Sequence, residues 1–425
     1  MSNLCIAQSG GPTAAINASL AGVMREFIKD KDYDKLYGLK FGITGIFTNE
    51  YVELDEMFKT DEEIDKLSLT PSMFLGSCRY KLPEVTSGAT IDIAGKPYTT
   101  KQVYELIFDF FREHDIKSFF YIGGNDSMDT VLKLSRYATK NDIDVRICGI
   151  PKTIDNDLPR IDHTPGFGSA AKYIASSLLE ISHDTSIYRV PSVTIVEIMG
   201  RDAGWLAAAS ALARNEYSTV PDRIYLPEVA FSVDKFIEDI ETVLKEKRNV
   251  VMAVSEGIRD SHGNYISESE SKHDKFGHAM LSGAGKFLEN EVKERLGIKC
   301  RSVEVNILQR VAGHLTSKTD ILESEKLGAT SYYAAKNGET GVMSVINRVN
   351  PVTSSLDDEY LVEYSTERIE FIANGVRKVP REWINEEGND VTPEMISYLK
   401  PLIQGEVSLG FRDGLPDYQG ILKNC

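Results

Sequence analysis

Short apolar runs alternate with amphipathic stretches along this 425-residue chain, and several of the runs are β-branched and apolar on both faces. A strand that is apolar on both faces belongs in a parallel sheet covered by helices on both sides. The pattern predicts strands at 4–8, 36–41, 118–122, 145–150, 192–198, 250–254 and 303–308, and helices at 14–28, 101–114, 127–139, 168–181, 203–213, 233–247, 278–296 and 318–336. Such alternation is an α/β arrangement. There are more strands than one open sheet comfortably carries, so the expectation is two doubly wound, Rossmann-like domains. They are expected at 1–155, with about 316–347 returning to it, and at 156–315, followed by a C-terminal extension at 348–425 packed on the core. The extension carries a predicted hairpin at Asn374-Gly375, then Pro380, Gly388 and Pro393.

Charge narrows the function classes. Lys plus Arg is 48 and Asp plus Glu is 64, a formal net charge of −16. That argues against nucleic-acid binding through phosphates. A phosphate-binding enzyme remains allowed, because local Arg and Lys can oppose the global field. No run approaches 18 apolar residues, so no membrane span is expected, and the N-terminus lacks the basic and apolar regions of a signal peptide. The five cysteines include no CxxC and read as reduced thiols of a cytoplasmic protein.

Doubly wound folds bind ligands at the carboxyl ends of their strands, so the residues following each run carry the argument. The first run ends in Ser9-Gly10-Gly11-Pro12-Thr13 before a helix. Paired glycines let the backbone approach an anion, and a helix N-terminus adds free N–H groups and positive dipole. The same residues also make an ordinary tight turn. A second glycine pair, Gly123-Gly124-Asn125-Asp126-Ser127, follows the run 118–122, and there Asp126 reads equally as a helix N-cap. Two such turns at neighbouring strand ends would form one phosphate-lined crevice. The next run ends in Pro151-Lys152-Thr153-Ile154-Asp155-Asn156-Asp157. One aspartate there suits proton acceptance from an attacking alcohol and another suits Mg²⁺, while a polar turn is the plain alternative.

Met199-Gly200-Arg201, Glu256 and Gln309-Arg310 follow three later runs, Arg79 sits in Gly76-Ser77-Cys78-Arg79, and Arg301 lies nine residues before Arg310. The planar fork of arginine suits phosphate, although each one alone reads as a solvated charge. Gly283-Ala284-Gly285-Lys286 lacks P-loop spacing, and Gly166-Phe167-Gly168 follows a proline loop rather than a strand, so neither is a nucleotide fingerprint.

SGGPTAAIN, GGNDSM, PKTIDND, VEIMGRDAGW, VSEG and LQR occur in the order and rough spacing of the phosphofructokinase family, from residue 4 to about 335. The combination resembles its pyrophosphate-dependent members in particular. Asp126 and Lys152 stand where ATP-using members carry glycine. The resemblance implies an active site between two α/β domains, with Asp155, Lys152 and Asp126 catalytic. It implies fructose 6-phosphate against Thr153, Ile154, Asp155, Met199, Gly200, Arg201, Glu256, Arg301 and Arg310. Diphosphate would lie against Gly10, Gly11, Arg79, Gly124 and Ser127, and Mg²⁺ at Asn125, Asp126 and Asp157. In many members the counterpart of Arg301 reaches the sugar phosphate of a neighbouring subunit, which implies a homodimer or homotetramer.

The implied reaction moves phosphate reversibly from pyrophosphate to the 1-hydroxyl of fructose 6-phosphate. The alternatives are an ATP-dependent enzyme and a catalytically inactive regulatory subunit. Three positions depart from the family pattern: Asn125 replaces an aspartate, Ile307 replaces a histidine or tyrosine, and Ser192 replaces an arginine, with Arg189 near enough to substitute.

Overall fold

The apolar runs pair into two separate sheets. In a computed structural model that describes residues 2–93, 95–187, 189–266, 283–356 and 359–420, thirteen strands build these sheets and one small hairpin. They are β1 (Ser2–Gln8), β2 (Tyr33–Leu39), β3 (Tyr51–Glu53), β4 (Thr90–Ile93), β5 (Lys96–Thr99), β6 (Ile116–Gly123), β7 (Arg146–Pro151), β8 (Ser192–Ile198), β9 (Arg223–Tyr225), β10 (Asn249–Ser255), β11 (Lys299–Glu304), β12 (Val342–Arg348) and β13 (Val362–Arg368).

The larger sheet runs β13-β12-β7-β6-β1-β2-β3, and β4 with β5 forms the hairpin. Its five inner strands are parallel, with antiparallel β3 and β13 at the edges. Leu4 to Ala7 on central β1 are at most 1% exposed, as a sheet covered on both faces requires. From β1 the chain moves outward to β2, then returns to β6 on the other side. That reversal opens a crevice between the carboxyl ends of β1 and β6, where both glycine pairs lie. The smaller sheet, β11-β8-β10-β9, is wholly parallel.

Helices Ile16–Lys29 and Lys318–Lys336 cover one face of the larger sheet and cross at Gly22 and Gly328. A Cβ on Gly22 would lie 2.1 Å from the Glu325 carbonyl oxygen, so the two backbones touch only because a side chain is missing there. Among the described residues no helix is long and apolar enough to cross a membrane.

Two expectations need correction. The strand expected at 303–308 is Lys299–Glu304 instead; Asn306 turns left-handed (φ 48°) and Leu308–Val311 forms a helical turn. The hairpin expected at Asn374-Gly375 is absent. Asn374 does adopt φ 65°, but the next strands, Phe411–Arg412 and Leu415–Pro416, pair with each other, and the segment at Asn374 runs across the strand ends of both sheets. The extension also contributes β13 to the larger sheet. Residues 278–282 of the helix expected at 278–296 lie outside the described residues, and the described helix is Ala284–Leu296.

Candidate active site

Both glycine turns sit side by side because their strands do. Ser9 N–H donates to the Ile122 carbonyl at 2.9 Å, and Lys152 N–H donates to the Gly123 carbonyl at 2.9 Å, so the ends of β1, β6 and β7 form one rim. Gly10 needs its glycine: it has φ 84°, and a Cβ there would lie 3.0 Å from Lys152 Nζ. Fully buried Gln8 and Asn17 hold each other at 2.9 Å and pin residues 70–75 through the backbone of Thr70, Phe74 and Leu75. That anchorage brings Ser77 Oγ onto the Gly10 carbonyl at 2.7 Å and leads exposed Arg79 to the same rim. Ser77 had no signature in the sequence beyond lying next to Cys78-Arg79.

In the loop after β7, burial alternates residue by residue. Ile154 (6% exposed), Asn156 and Leu158 point into the protein, while Thr153, Asp155 and Asp157 keep solvent-accessible edges. Ile154, expected against the sugar phosphate, is therefore a core residue, packed with Phe167 and Val196. Asn156 adopts φ 55°, a conformation asparagine tolerates, and its side-chain amide bonds Tyr398 Oη at 2.9 Å and Thr164 N–H at 3.1 Å. Asp155 N–H is capped by Thr153 Oγ1 at 3.1 Å.

The opposite wall comes from the smaller sheet. β8 is followed by Met199-Gly200-Arg201 and β10 by Glu256. Gly200 (φ 142°) donates to Glu256 Oε1 at 3.4 Å, and Met199 N–H donates to Gln309 Oε1 at 3.2 Å. Gln309 went unassigned in the sequence; its signal was its place beside Arg310. Gly257 lies so close that a Cβ would fall 2.1 Å from the Arg201 carbonyl oxygen. Arg310 crosses the cleft: its Nη1 lies 3.4 Å from where a Cβ on Gly11 would sit, and its charge acts on Asp155 and Glu256. It therefore lies against the donor-side turn while its charge bears on the acids expected to face the sugar.

The electrostatics follow from crowding these groups out of water. Burial pushes Lys152 down to about 7, partly opposed by Asp155. Burial raises Asp155, with Lys152 and Arg201 pulling it back. Burial, then the Asp155 charge, pushes Asp157 and Glu256 each up to about 7. Lys152 Nζ donates to the Gly11 carbonyl at 2.7 Å, which aims its ammonium at the donor turn.

Four other expected residues sit as follows. Ser127 is buried, its Oγ packed on Gly123, and Gly124 caps the start of helix Asn125–Lys140. Asp126 is exposed, 4.0 Å from Lys81 Nζ. Arg301 does not reach this chain's cleft: it sits on edge strand β11, ion-paired to Asp184 and 3.3 Å from Thr194 Oγ1. Of the departures, Ile307 is 54% exposed, Ser192 Oγ accepts from Asn249 at 2.9 Å, and Arg189 is exposed.

Asn125 fits poorly as a metal ligand, because its Oδ1 accepts Asn374 N–H at 2.7 Å and its Nδ2 donates to the Gly375 carbonyl at 2.7 Å. Among the described residues no three His, Cys, Asp or Glu side chains converge to hold a metal by themselves. Mg²⁺ does not require that, since it usually takes one or two carboxylates and completes its shell with phosphate and water oxygens. The crowded, partly exposed carboxylates of the cleft fit that donor set.

Residues 3–335 match the family described as Phosphofructokinase. A pyrophosphate–fructose 6-phosphate 1-phosphotransferase of Halomonas elongata is 37% identical over 425 residues, 99% of this chain and 96% of the relative. One from Methylococcus capsulatus is 38% identical over 419 residues, covering 98% and 95%. A crystal structure of pyrophosphate-dependent phosphofructokinase from Nitrosospira multiformis superposes with a TM-score of 0.84 at 35% identity, covering 98% of this chain and 96% of that one. The likeness spans both sheets, the cleft between them and the extension, and the chain belongs to the phosphofructokinase family.

Proposed function

We propose that this chain transfers phosphate from pyrophosphate to the 1-hydroxyl of fructose 6-phosphate, reversibly, giving fructose 1,6-bisphosphate and orthophosphate. The observation that carries the reading is Lys152, a buried ammonium bonded to the Gly11 carbonyl and set among Asp155, Asp157 and Arg310. An ATP-using site of the implied pattern has glycine there. The relatives' names point to the same donor.

In this reading the 1-hydroxyl oxygen attacks the near phosphorus and its proton passes to Asp155. The bond from that phosphorus to the bridging oxygen breaks, and orthophosphate leaves. Asp155 acts as the base. Lys152 offsets charge on the phosphoryl group in transit, as fixed cations do in phosphoryl transfer. Gly10, Gly11, Gly124, Ser127 and Arg79 cradle the donor, while Thr153, Met199, Gly200, Arg201, Glu256 and Arg310 hold the sugar phosphate. Asp157 and Asp126 would hold Mg²⁺ together with the donor's phosphates. Bound there, the ion neutralises phosphate charge.

The larger sheet, built from 1–155 with about 316–347 and edge strand β13 of the extension, then serves the donor, and 156–315 serves the sugar. Arg301 would serve a sugar phosphate only in a second copy, so the reading includes a homodimer or homotetramer, in the cytoplasm. Phosphorus NMR of the protein with pyrophosphate, fructose 6-phosphate and Mg²⁺ tests it. Growth of fructose 1,6-bisphosphate and orthophosphate resonances is expected, and hydrolysis to orthophosphate alone would refute it.

A further inference from the structure

Asn374-Gly375, singled out in the sequence as a turn, has no role in the reading above, yet it is hydrogen-bonded to the helix that begins at the donor turn. Asn374 N–H and the Gly375 carbonyl clasp both ends of the Asn125 amide, at 2.7 Å each. Asn374 Nδ2 also donates to Asp129 Oδ1 at 3.0 Å, on the same helix. An ionised aspartate at 125 could accept from Asn374 but could not donate to Gly375. Asparagine is thus the residue this clasp needs.

Two residues later, Arg377 spends most of its fork on the loop that carries Asp155 and Asp157, and Nη2 also donates to Tyr398 Oη at 3.2 Å. Nη1 donates to the carbonyls of Ile161 (2.7 Å) and Asp162. Nε and Nη2 donate to the Asn156 carbonyl at 3.3 and 3.1 Å. Arg377 N–H donates to the Asp157 carbonyl at 2.6 Å, and the guanidinium lies 4.5 Å from the Trp205 ring centroid. Val379 N–H then meets Glu228 Oε1 at 2.9 Å, the same oxygen that accepts Gly204 N–H at 2.9 Å just after Met199-Gly200-Arg201. One short segment therefore bonds the donor turn, the loop of the base and the sugar-side strand end.

We infer that residues 374–379 are a positioning element of the catalytic centre, with Asn125 and Arg377 as positioning residues that hold the donor turn in register with the Asp155–Asp157 loop. The inference rests on the phosphotransferase reading. Asn156 lies between the two carboxylates in a left-handed conformation, so the direction of its carbonyl sets theirs. Lysine cannot replace Arg377, since a single ammonium cannot reach three carbonyls arranged around a planar fork.

The test is kinetic and structural together. Arg377→Ala and Arg377→Lys should lower kcat by roughly a hundredfold, the scale of an ångström's misplacement, with the KM for fructose 6-phosphate little changed. Added guanidinium should restore part of the kcat of Arg377→Ala. Amide hydrogen exchange of residues 155–162 should quicken. Asn125→Asp should lower kcat roughly tenfold, the worth of one lost hydrogen bond, and should quicken exchange at 374–379 without reducing the Mg²⁺ requirement.

Native kcat in these variants would overturn the inference. So would an Asn125→Asp enzyme that needs less Mg²⁺ and keeps native exchange, because Asn125 would then be a metal ligand. If the Arg377 variants fail to fold, Asn125→Asp decides. An unmodified chain without phosphotransfer would instead refute the reading of function, while the exchange measurements would still judge the clasp.

Discussion

Lys152→Met should make the protein more stable and nearly inactive. Lys152 is 2% exposed and its ammonium pKa falls from 10.5 to about 7, chiefly through burial. At neutral pH that corresponds to about 4–5 kcal/mol taken from the fold. Methionine fills similar space without charge, but it leaves the Gly11 carbonyl without its 2.7 Å donor, a loss of about 1–2 kcal/mol. The variant should therefore gain about 3 kcal/mol at pH 6.5. The sign then fixes the pH dependence. Below about 7 both folded and unfolded states carry the proton and the whole penalty stands. Between about 7 and 10.5 only the unfolded state keeps it, so the parent gains stability as pH rises. The advantage of Lys152→Met should shrink toward zero near pH ~9.5. Urea denaturation of both proteins at the two pH values measures this, and kcat with pyrophosphate should fall roughly 10²–10³-fold. An advantage that does not change with pH, or a variant less stable at both, would refute the claim that the ammonium is held desolvated for catalysis.

Asp155→Asn should cut kcat by roughly 10²–10⁴ in steady-state assays while sugar affinity is kept. Arg310→Ala should raise KM for fructose 6-phosphate by about 1.5–3 kcal/mol in affinity; a rise confined to pyrophosphate would assign Arg310 to the donor through its approach to Gly11. Gly22→Ala should lower stability by about 1–3 kcal/mol, read as a drop in Tm, because its methyl meets the Glu325 backbone.

The inner strands were legible because burial on both faces leaves runs dominated by β-branched and apolar residues: the expected strand at 192–198, SVTIVEI, matches β8 to the residue. The edges were not. β13 reads VEYSTER and alternates half-buried with exposed, like any polar loop, and β11 carries Lys299 and Arg301 on the open edge of its sheet. The apolar Val303, Val305 and Ile307 drew the predicted strand too far, because periodicity cannot see Asn306 turning left-handed. In the site, chemistry-bearing side chains were visible from type and spacing at the strand ends. The inward turn of the Ile154 side chain did not show, because the alternation of buried and half-buried positions from Thr153 to Leu158 arises in the fold and Thr-Ile-Asp-Asn-Asp carries no matching alternation of polarity. The clasp was out of reach, since Asn125 and Arg377 act on backbone carbonyls brought near by tertiary folding, 250 residues away for Asn125.

Donor choice is the measurement that bears most directly on the central claim. Asp126 is 56% exposed on its side chain, with Lys81 Nζ at 4.0 Å. A like charge placed about 4 Å from this carboxylate, such as a phosphate oxygen, is repelled by about 1 kcal/mol in water and about 4 kcal/mol at an effective dielectric near 20. The exposed setting favours the lower end, so the carboxylate's charge by itself disfavours a third phosphate only modestly. Initial rates with pyrophosphate and with ATP, each with fructose 6-phosphate and Mg²⁺, should be compared for the native protein and Asp126→Gly. The account predicts turnover with pyrophosphate, little or none with ATP, and a narrower gap in Asp126→Gly. Robust turnover of the native protein with ATP and none with pyrophosphate would contradict it.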